Sequence, residues 1–179
     1  MLVTVDSRVL SEAKVDLLAL PMVQIDLERW RLPARFAAID RALGGAISAA
    51  LRSGDFQAKK GESLTLYPDG AIPAVRVLVV GLGPDASADA DAFRRAAGTA
   101  TNSAVSRKAR TVAIAVPALR KLKAAHAAGA LAEGAVLAAY RFDSYRTGSR
   151  KKSKGVDSVA LCLERSADVR AARSAAKQG

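Results

Sequence analysis

A chain of 179 residues, half of them hydrophobic, is long enough to bury the core of one domain. Aromatic residues make up only 4% of it, and its single cysteine, Cys162, excludes an internal disulfide and is expected to be a buried thiol. No apolar run could span a bilayer, and the first residues lack the basic and apolar blocks of a signal peptide. The sequence therefore predicts a cytoplasmic protein with no membrane partner.

The formal net charge of +11 allows two kinds of explanation. A basic surface attracts polyanions, acidic lipid or an acidic partner protein. The same balance also arises when all proteins of an organism are basic, or when an acidic half of a larger protein offsets a basic half.

Basic side chains that could hold an anion are concentrated in one polar segment and at two helix ends. Lysine-rich loops contact phosphates without reading bases, so this binding would be salt-sensitive, and solvated loops and helix ends are the alternative interpretation. The candidate residues are Arg146, Arg150, Lys151, Lys152 and Lys154 in the segment, with Arg107, Lys108, Arg110, Arg120, Lys121 and Lys123 at the helix ends.

Two strands are predicted before residue 34. Leu2–Val5 is short, and Val15–Leu20 is more apolar and is expected to end at Pro21. Between Met22 and Pro33 the mixed charges around Trp30 predict a loop.

A helix is predicted from Ala34 to Leu51, because apolar residues recur there at spacings of three and four. Gly44 and Gly45 lower its helix propensity by roughly 1 kcal/mol each, and a close approach of the helix to a sheet would compensate. Ser53 and Gly54 are expected to end it.

The centre of the sequence predicts an antiparallel hairpin. Leu64 and Leu66 alternate with polar residues, as in a half-exposed strand, and Pro68–Gly70 has the composition of a turn. Val75–Val80 is valine-rich and ends at Gly-Leu-Gly-Pro, which indicates a strand buried on both faces. This strand is expected to be the centre of the sheet.

The second half of the chain alternates helices and strands. Ser87 or Asp89 can cap a helix that reaches about Lys108 and has Phe93, Ala97, Ala100 and Ala104 on its inner face. A strand at Thr111–Val116 precedes a second helix, whose contact face of small residues comprises Leu122, Ala125, Gly129, Ala132, Val136 and Ala139.

A polar surface loop is predicted from Tyr140 to Gly155, followed by a strand at Ser158–Leu163 and a helix at Ala167–Lys177. Strands that alternate with helices in this order indicate an α/β fold, a three-layer α/β/α domain with a mixed, mostly parallel sheet.

The segment from Gly81 to Ala86 formally matches a dinucleotide-binding glycine fingerprint between a strand and a helix. Pro84 removes one backbone donor, and no acidic residue follows at the distance that would bind a ribose hydroxyl. We therefore interpret the segment as a tight strand-to-helix turn.

The sequence contains few residues that could perform chemistry. Metal sites need several histidines, cysteines or clustered carboxylates, but this chain has one histidine, His126, expected at the surface of a helix, and one cysteine. Asp85, Asp89 and Asp91 suit turns and helix starts, and no serine or cysteine has a plausible base nearby in a motif. We predict no catalytic, cofactor-binding or metal-binding residue in this chain.

Several segments, in order from about Val15 to Asp143, resemble the N-terminal domain of the leucyl aminopeptidases (cytosol aminopeptidase, peptidase family M17). The most specific are Arg-Val-Leu-Val-Val-Gly-Leu-Gly from Arg76 and the Glu-Gly-Ala-Val-Leu-Ala-Ala-Tyr-Arg-Phe-Asp segment from Glu133. The others are Asp40-Arg-Ala-Leu-Gly-Gly-Ala-Ile-Ser-Ala-Ala-Leu, Gly54-Asp-Phe, Lys60-Gly-Glu and Leu66-Tyr-Pro.

The resemblance implies a macro-domain-like fold that precedes a larger catalytic domain in the parent enzyme. It further implies that this second domain holds two divalent metals, such as manganese or zinc, that it removes N-terminal residues from peptides, and that the enzyme is a homo-hexamer. The carboxylate and lysine motifs of that domain have no counterpart in this sequence. We therefore expect residues 1–165 to form the N-terminal domain, and residues 166–179 to begin the linker helix to a catalytic domain outside this fragment.

Three functions follow as hypotheses. The first is a non-catalytic accessory domain of a leucyl aminopeptidase, with its own catalytic domain and the hexamer as partners. The second is a basic nucleic-acid-binding module that contacts DNA, as some bacterial members of the family do, which the net charge and the Arg146–Lys154 segment suggest. The third is a domain that binds ADP-ribose or another nucleotide, which the resemblance and the Gly81–Gly83 turn suggest.

Overall fold

A computed structural model describes residues 1–24, 32–119, 122–144 and 155–178. Across them runs a six-stranded sheet in the order β1-β6-β5-β2-β4-β3, in which β3 is antiparallel to β4 and the other neighbouring strands are parallel. The expected mixed, mostly parallel sheet is confirmed. The strands are β1 (Leu2–Asp6), β2 (Leu17–Gln24), β3 (Ser63–Leu66), β4 (Val77–Pro84), β5 (Thr111–Ala115) and β6 (Ser158–Cys162).

Helices cover both faces of the sheet, which confirms the three-layer α/β/α architecture. One buried cluster joins the sheet to α1 and α2, and the other joins it to α3, α4 and α5. Both clusters are rich in alanine, so helices and sheet pack closely through small side chains. The helices are α1 (Ala34–Ala42), α2 (Ala46–Ser53), α3 (Ala90–Ser106), α4 (Ala124–Ser144) and α5 (Val169–Gln178).

Strand β4 is buried on both faces from Val77 to Gly83, as predicted. It lies second from one edge of the sheet, beside β3, so its expected place at the centre is wrong. Its boundaries differ from the prediction at both ends. Val75 precedes the strand and is 51% exposed, whereas the strand continues through Gly81-Leu82-Gly83 to Pro84. The glycines therefore lie within the sheet, and the predicted strand-to-helix turn at Gly81 is wrong.

Strand β2 does not end at Pro21 but continues to Gln24. Its pairing with β5 involves only Leu17–Ala19, while its pairing with β4 includes Pro21. A proline is tolerated in a strand where its missing N–H is not needed to pair with a neighbouring strand. Pro21 lies two residues beyond Ala19, the last residue of β2 that pairs with β5. The expected stop was wrong because a proline's effect on a strand depends on the neighbouring strands.

The predicted helix from Ala34 to Leu51 is two helices. Gly44 and Gly45 separate α1 from α2 with φ values of 64° and 82°, a left-handed conformation that glycine adopts at little cost. A Cβ atom at either glycine would have no heavy atom within 4 Å, so the expected close approach to the sheet is wrong. The glycines serve a chain reversal, and Gly54 ends α2, as predicted, with a φ of 81°.

Helix α3 follows the prediction closely. Asp89 caps it by accepting a hydrogen bond of 2.9 Å from the backbone N–H of Ala92. The inner face comprises Phe93, Ala97, Ala100 and Ala104, all fully buried.

Helix α4 differs from the prediction in both its buried face and its end. The fully buried residues include Ala128, Leu131 and Ala135, whereas Val136 of the predicted face is 42% exposed. Alanine occurs on nearly every side of this helix, so hydrophobic periodicity could not predict which side faces the sheet. The helix also continues to Ser144, into the segment from Tyr140 that was predicted to be a loop.

The remaining elements agree with the prediction to within about two residues, and Cys162 is fully buried, as expected. The loop predicted from Met22 to Pro33 is wrong at Met22–Gln24, which belong to β2, and most of the rest of it lies outside the described residues. The polar segment at 145–154 lies wholly outside them. Among the helices that the structure describes, none is both long and apolar enough to cross a membrane.

Candidate functional site at the carboxyl edge of the sheet

The topology marks one place in the sheet as a candidate ligand site. Strands β2 and β5 are parallel neighbours, but the helix after β2 packs on one face of the sheet and the helix after β5 on the other. In open α/β sheets, ligands bind outside the carboxyl ends of two strands that diverge in this way. The carboxyl edge at β2 and β5 is therefore the candidate functional site.

Arg35 of α1 reaches across this edge. Its guanidinium donates hydrogen bonds of 2.9 Å to the backbone carbonyls of Val116 and Cys162, which follow β5 and end β6. Burial lowers the pKa of Arg35 from its ordinary value, and the charge of Glu164 opposes this effect. Arginine remains protonated at such a site, so Arg35 ties α1 to the ends of two strands.

Cys162 lies at the same edge but is not a nucleophile. Burial raises the pKa of its thiol to about 12, and the thiol group is 3.7 Å from the carbonyl oxygen of Ala160, to which it donates. The thiolate is the reactive form of cysteine, and very little of it exists at neutral pH at such a pKa.

Asp6 and Arg8 form an ion pair beside Cys162. Burial raises the pKa of Asp6, but hydrogen bonds from Arg8 outweigh it and hold this pKa below its ordinary value. The Arg8 backbone N–H and Nε donate to the carboxylate at 3.2 and 2.8 Å. The Asp6 carboxylate is therefore already paired with Arg8, two residues later in the chain.

The glycine fingerprint does not form a phosphate cradle. The backbone N–H groups of Gly81 and Gly83 donate to the carbonyls of Glu62 and Ala58, at 2.8 and 3.0 Å. A Cβ atom at Gly81 would lie 2.0 Å from the carbonyl oxygen of Lys59. Gly81 is thus required for the close approach of the 58–62 segment, and the donors that a pyrophosphate would need are already used.

The basic residues predicted to hold an anion do not form a described site. Arg146, Arg150, Lys151, Lys152 and Lys154 lie outside the described residues, as do Arg120 and Lys121. Arg107 donates to the Ser103 hydroxyl at 2.8 Å, and Arg110 forms an ion pair with Asp157. The DNA-binding hypothesis gains no support from these contacts.

A metal ion needs several ligand side chains close together. His126 is exposed on α4, as expected. The described part of the chain contains no group of three or more histidine, cysteine, aspartate or glutamate side chains that could hold a metal ion. These residues do not fit the two-metal centre that the resemblance places in the parent enzyme.

Three polar residues, Arg35, Asp16 and Asp40, have structural roles that were not predicted from the sequence. Asp40 is 7% exposed and accepts hydrogen bonds from the backbone N–H groups of Ile47 and Ser48, so it caps α2 from the preceding helix. An aspartate shortly before a Gly-Gly pair could have signalled this cap. For Arg35 and Asp16, whose partners are 81 or more residues away, no local signal exists.

The model of the cytosol aminopeptidase family, N-terminal domain, matches residues 26–149 of this chain. The chain belongs to the cytosol aminopeptidase family, as its N-terminal domain. A probable cytosol aminopeptidase of Acidobacterium capsulatum is 35% identical over 140 residues, which are 78% of this chain and 27% of that protein. The resemblance stated from the sequence is confirmed.

Comparison with solved structures supports the same family assignment. A mutant of tomato leucine aminopeptidase matches with a TM-score of 0.75 and 25% identity, over 98% of this chain and 35% of that one. The bottromycin maturation enzyme BotP in complex with Mn matches with a TM-score of 0.58 and 28% identity, over 90% and 29%.

A macrodomain mutant from Oceanobacillus iheyensis matches with a TM-score of 0.68 over 97% of this chain and 90% of that one, but at 10% identity. This likeness shows the fold alone, and it confirms the macro-domain-like architecture. The chain spans about a quarter of the length of the curated relatives it matches.

Proposed function

We propose that this chain is the non-catalytic N-terminal accessory domain of a metal-dependent, cytoplasmic leucyl aminopeptidase. The observation that carries the proposal is the match of the N-terminal family model to residues 26–149. The relatives, named as probable cytosol aminopeptidases, are several times longer than the segment that they share with this chain. The catalytic part of such an enzyme would follow this domain.

The chemistry of the described residues supports a scaffold role. The buried thiol at Cys162 is protonated, the Gly81 and Gly83 donors are bonded within the chain, and Arg35 binds backbone carbonyls. Each of these groups stabilises the fold through contacts within the domain. In the whole enzyme, the two divalent metals, manganese or zinc, would bind in the catalytic domain, and this domain would support packing and assembly into a hexamer.

The test compares two proteins in one assay. We expect the 179-residue chain to leave leucyl-p-nitroanilide unchanged with Mn²⁺ or Zn²⁺ added, and the protein encoded by the complete reading frame to hydrolyse it. Turnover by the purified 179-residue chain would refute the accessory role.

Assembly is tested separately. Deletion of residues 1–165 from the full-length protein should lower its oligomeric state or its thermal stability, measured by sedimentation and by calorimetry. A deletion variant with unchanged assembly, stability and activity would show that the domain has no supporting role.

A further inference from the structure

Strand β1 is one edge of the sheet, because it pairs with β6 and with no other strand of the described part of the chain. At its start the N–H of Leu2 donates to the carbonyl of Asp157 at 2.8 Å, and at its end the carbonyl of Asp6 accepts from the N–H of Leu163 at 2.9 Å. In a parallel pair, alternate residues direct both of their backbone groups at the neighbouring strand. The even-numbered residues of β1 therefore face β6, and the odd-numbered residues face away from it.

The odd-numbered residues of β1 are Val3 and Val5, and we call their backbone groups the outer edge of β1. Arg173 of α5 donates to the carbonyl of Val5 at 3.2 Å, which agrees with an outward direction for that carbonyl. Val5 is only 4% exposed and lies deeper than Val3, which is half-buried. The N–H and the carbonyl of Val3 have no hydrogen-bond partner among the described residues. One donor and one acceptor on the same residue are thus available to an incoming strand.

A groove of about 230 Å³ follows this edge between β1 and α5. Two cationic side chains one helical turn apart, Arg173 and Lys177, form its wall on the α5 side, and both are exposed. Neither forms an ion pair with a carboxylate of the described residues. The groove therefore combines open backbone groups with positive charge that the domain itself does not neutralise.

Such an edge recognises a peptide in two ways. Main-chain hydrogen bonds hold an extended segment as an added strand, and the surroundings of alternate side chains determine its sequence. The side chains of Val3 and Val5 lie on the α5 face of the sheet, because both pack in the cluster that includes α5. Successive side chains of a strand point to opposite faces, so Leu2, which is 63% exposed, lies on the other face. An added strand would likewise direct every second side chain towards α5.

We propose that the outer edge of β1 binds an extended acidic peptide of a partner protein as an additional strand of the sheet. Acidic side chains at every second position lie against Arg173 and Lys177, and apolar side chains between them lie beside Leu2. The contact is separate from the carboxyl edge of β2 and β5. The inference goes beyond the proposed function and does not rest on it.

Charge favours an acidic peptide over a second copy of this chain as the occupant. Pairing of two β1 strands edge to edge would bring both copies of Arg173 and Lys177 to one contact. Each chain also has a formal net charge of +11, so two copies repel each other. An acidic segment is attracted by the same charges, which give it both a faster association and a preferred position.

Peptide binding to the purified 179-residue chain tests the proposal. The probe is a short peptide of alternating glutamate and valine with blocked ends and a fluorophore, and the readout is fluorescence anisotropy. We expect saturable binding that weakens as the salt concentration is raised, because salt screens the charges of exposed groups. A peptide with lysine in place of glutamate should not bind. The glutamate–valine peptide methylated at its backbone nitrogens keeps every charge but cannot donate, and should bind about tenfold more weakly.

Variants of the protein test the edge and the charge separately. Val3→Pro removes an N–H that the sheet does not use, which an edge strand tolerates, and should weaken binding about tenfold. Its control, Val3→Ala, keeps the N–H and should bind as the wild type does. Lys177→Glu should weaken binding about threefold through the lost attraction. The matched control is Lys59→Glu, an equal change of charge at an exposed residue near the β3 side of the sheet, and it should leave binding unchanged.

Each result supports or overturns the strand contact. Absence of binding, equal binding of the methylated peptide, or equal effects of Lys177→Glu and Lys59→Glu would overturn it. Self-association that sedimentation detects and that Val3→Pro abolishes would assign the edge to a second copy and overturn it also. If Val3→Pro does not fold, the methylated peptide decides, because it leaves the protein unchanged.

The protein encoded by the complete reading frame separates this inference from the proposed function. Binding of the probe to that protein without hydrolysis of leucyl-p-nitroanilide would support the strand contact and refute the proposed function. Hydrolysis without binding, when the 179-residue chain does bind, would show that the enzyme covers this edge itself. That result would overturn the inference and leave the proposed function intact.

Discussion

At the scale of single residues, long-range polar contacts determine where a substitution should lower the stability of this fold. Asp16 is an example: its carboxylate accepts from the backbone N–H groups of Arg110 and Thr111 at 2.7 and 2.9 Å, and from the Thr111 hydroxyl at 3.1 Å. These bonds connect the starts of β2 and β5 across 94 residues of sequence. Burial raises the pKa of Asp16, but the donors outweigh it and hold this pKa below its ordinary value.

The Asp16→Asn variant should therefore lose stability in a pH-dependent way. Because the pKa of Asp16 is lower in the folded state than in the unfolded state, its stabilisation is present above about pH 4 and is lost as the pH falls through the folded-state value. At pH 7 we expect a loss of about 2 kcal/mol in urea unfolding, and a smaller difference from the wild type below pH 4. A difference that stays constant between pH 7 and pH 3 would contradict the assigned contacts.

At Thr101 in α3, by contrast, we predict that a substitution stabilises the protein. Its side-chain oxygen is buried and has no hydrogen-bond partner among the described residues. Valine has nearly the same shape without the hydroxyl, so Thr101→Val should raise the free energy of unfolding by about 1 kcal/mol. The control Thr101→Ser keeps the hydroxyl and removes the methyl group, and should be destabilising; a destabilised valine variant would reveal a partner for the hydroxyl.

At the scale of elements, glycines act through two different physical causes. Some permit a left-handed backbone, and others permit two segments to approach more closely than a side chain would allow. Gly45 belongs to the first group and Gly81 to the second. Composition alone assigned both to the wrong role.

The pair Gly81→Ala and Gly45→Ala separates these causes. At Gly81 the new Cβ would lie 2.0 Å from the Lys59 carbonyl oxygen, and relief of this clash should cost about 3 kcal/mol. At Gly45 there is open space, so only the strain of a φ of 82° remains, about 1 kcal/mol. Equal losses in thermal unfolding would mean that the 58–62 segment does not pack against β4 as described.

The contact between α3 and α4 offers a similar comparison. A Cβ at Gly134 would lie 2.2 Å from the Arg94 carbonyl oxygen, so Gly134→Ala should force the helices apart and cost about 3 kcal/mol. Gly98 faces the same groove, but its Cβ would be 4.0 Å from its nearest neighbours. Gly98→Ala should therefore raise stability by about 0.5 kcal/mol through helix propensity, and a loss there would contradict the open spacing.

At the scale of the whole molecule, the described donors at the carboxyl edge and in the glycine segment are used in contacts within the domain. Arg35 binds backbone carbonyls at the carboxyl edge, and the Gly81 and Gly83 N–H groups are bonded within the chain. A titration calorimetry experiment with ADP-ribose should give no binding heat. Saturable heat would show that this edge accepts a nucleotide despite these contacts.

Much of the architecture could be predicted from local patterns in the sequence. The valine-rich β4, the alternation in β3 and the cap at Asp89 depend on contacts near in sequence or on burial from both sides, and these leave patterns in composition. The ordered segments also identified the family, which the match to residues 26–149 confirmed. The candidate site at the carboxyl edge was not predicted, because Arg35 and its partners are distant in the sequence.

The sequence by itself determined the α/β class and the scarcity of reactive groups, because composition and periodicity record which side chains must be buried. It also indicated the family, through the resemblance of its ordered segments to those of the cytosol aminopeptidases. Only the tertiary structure decided that β2 passes through Pro21, that Gly44 and Gly45 divide a helix, and which side of α4 stays exposed. The physical reason is that a proline, a glycine or an alanine is compatible with several local structures. Which of these forms depends on neighbours that only the folded chain brings into contact.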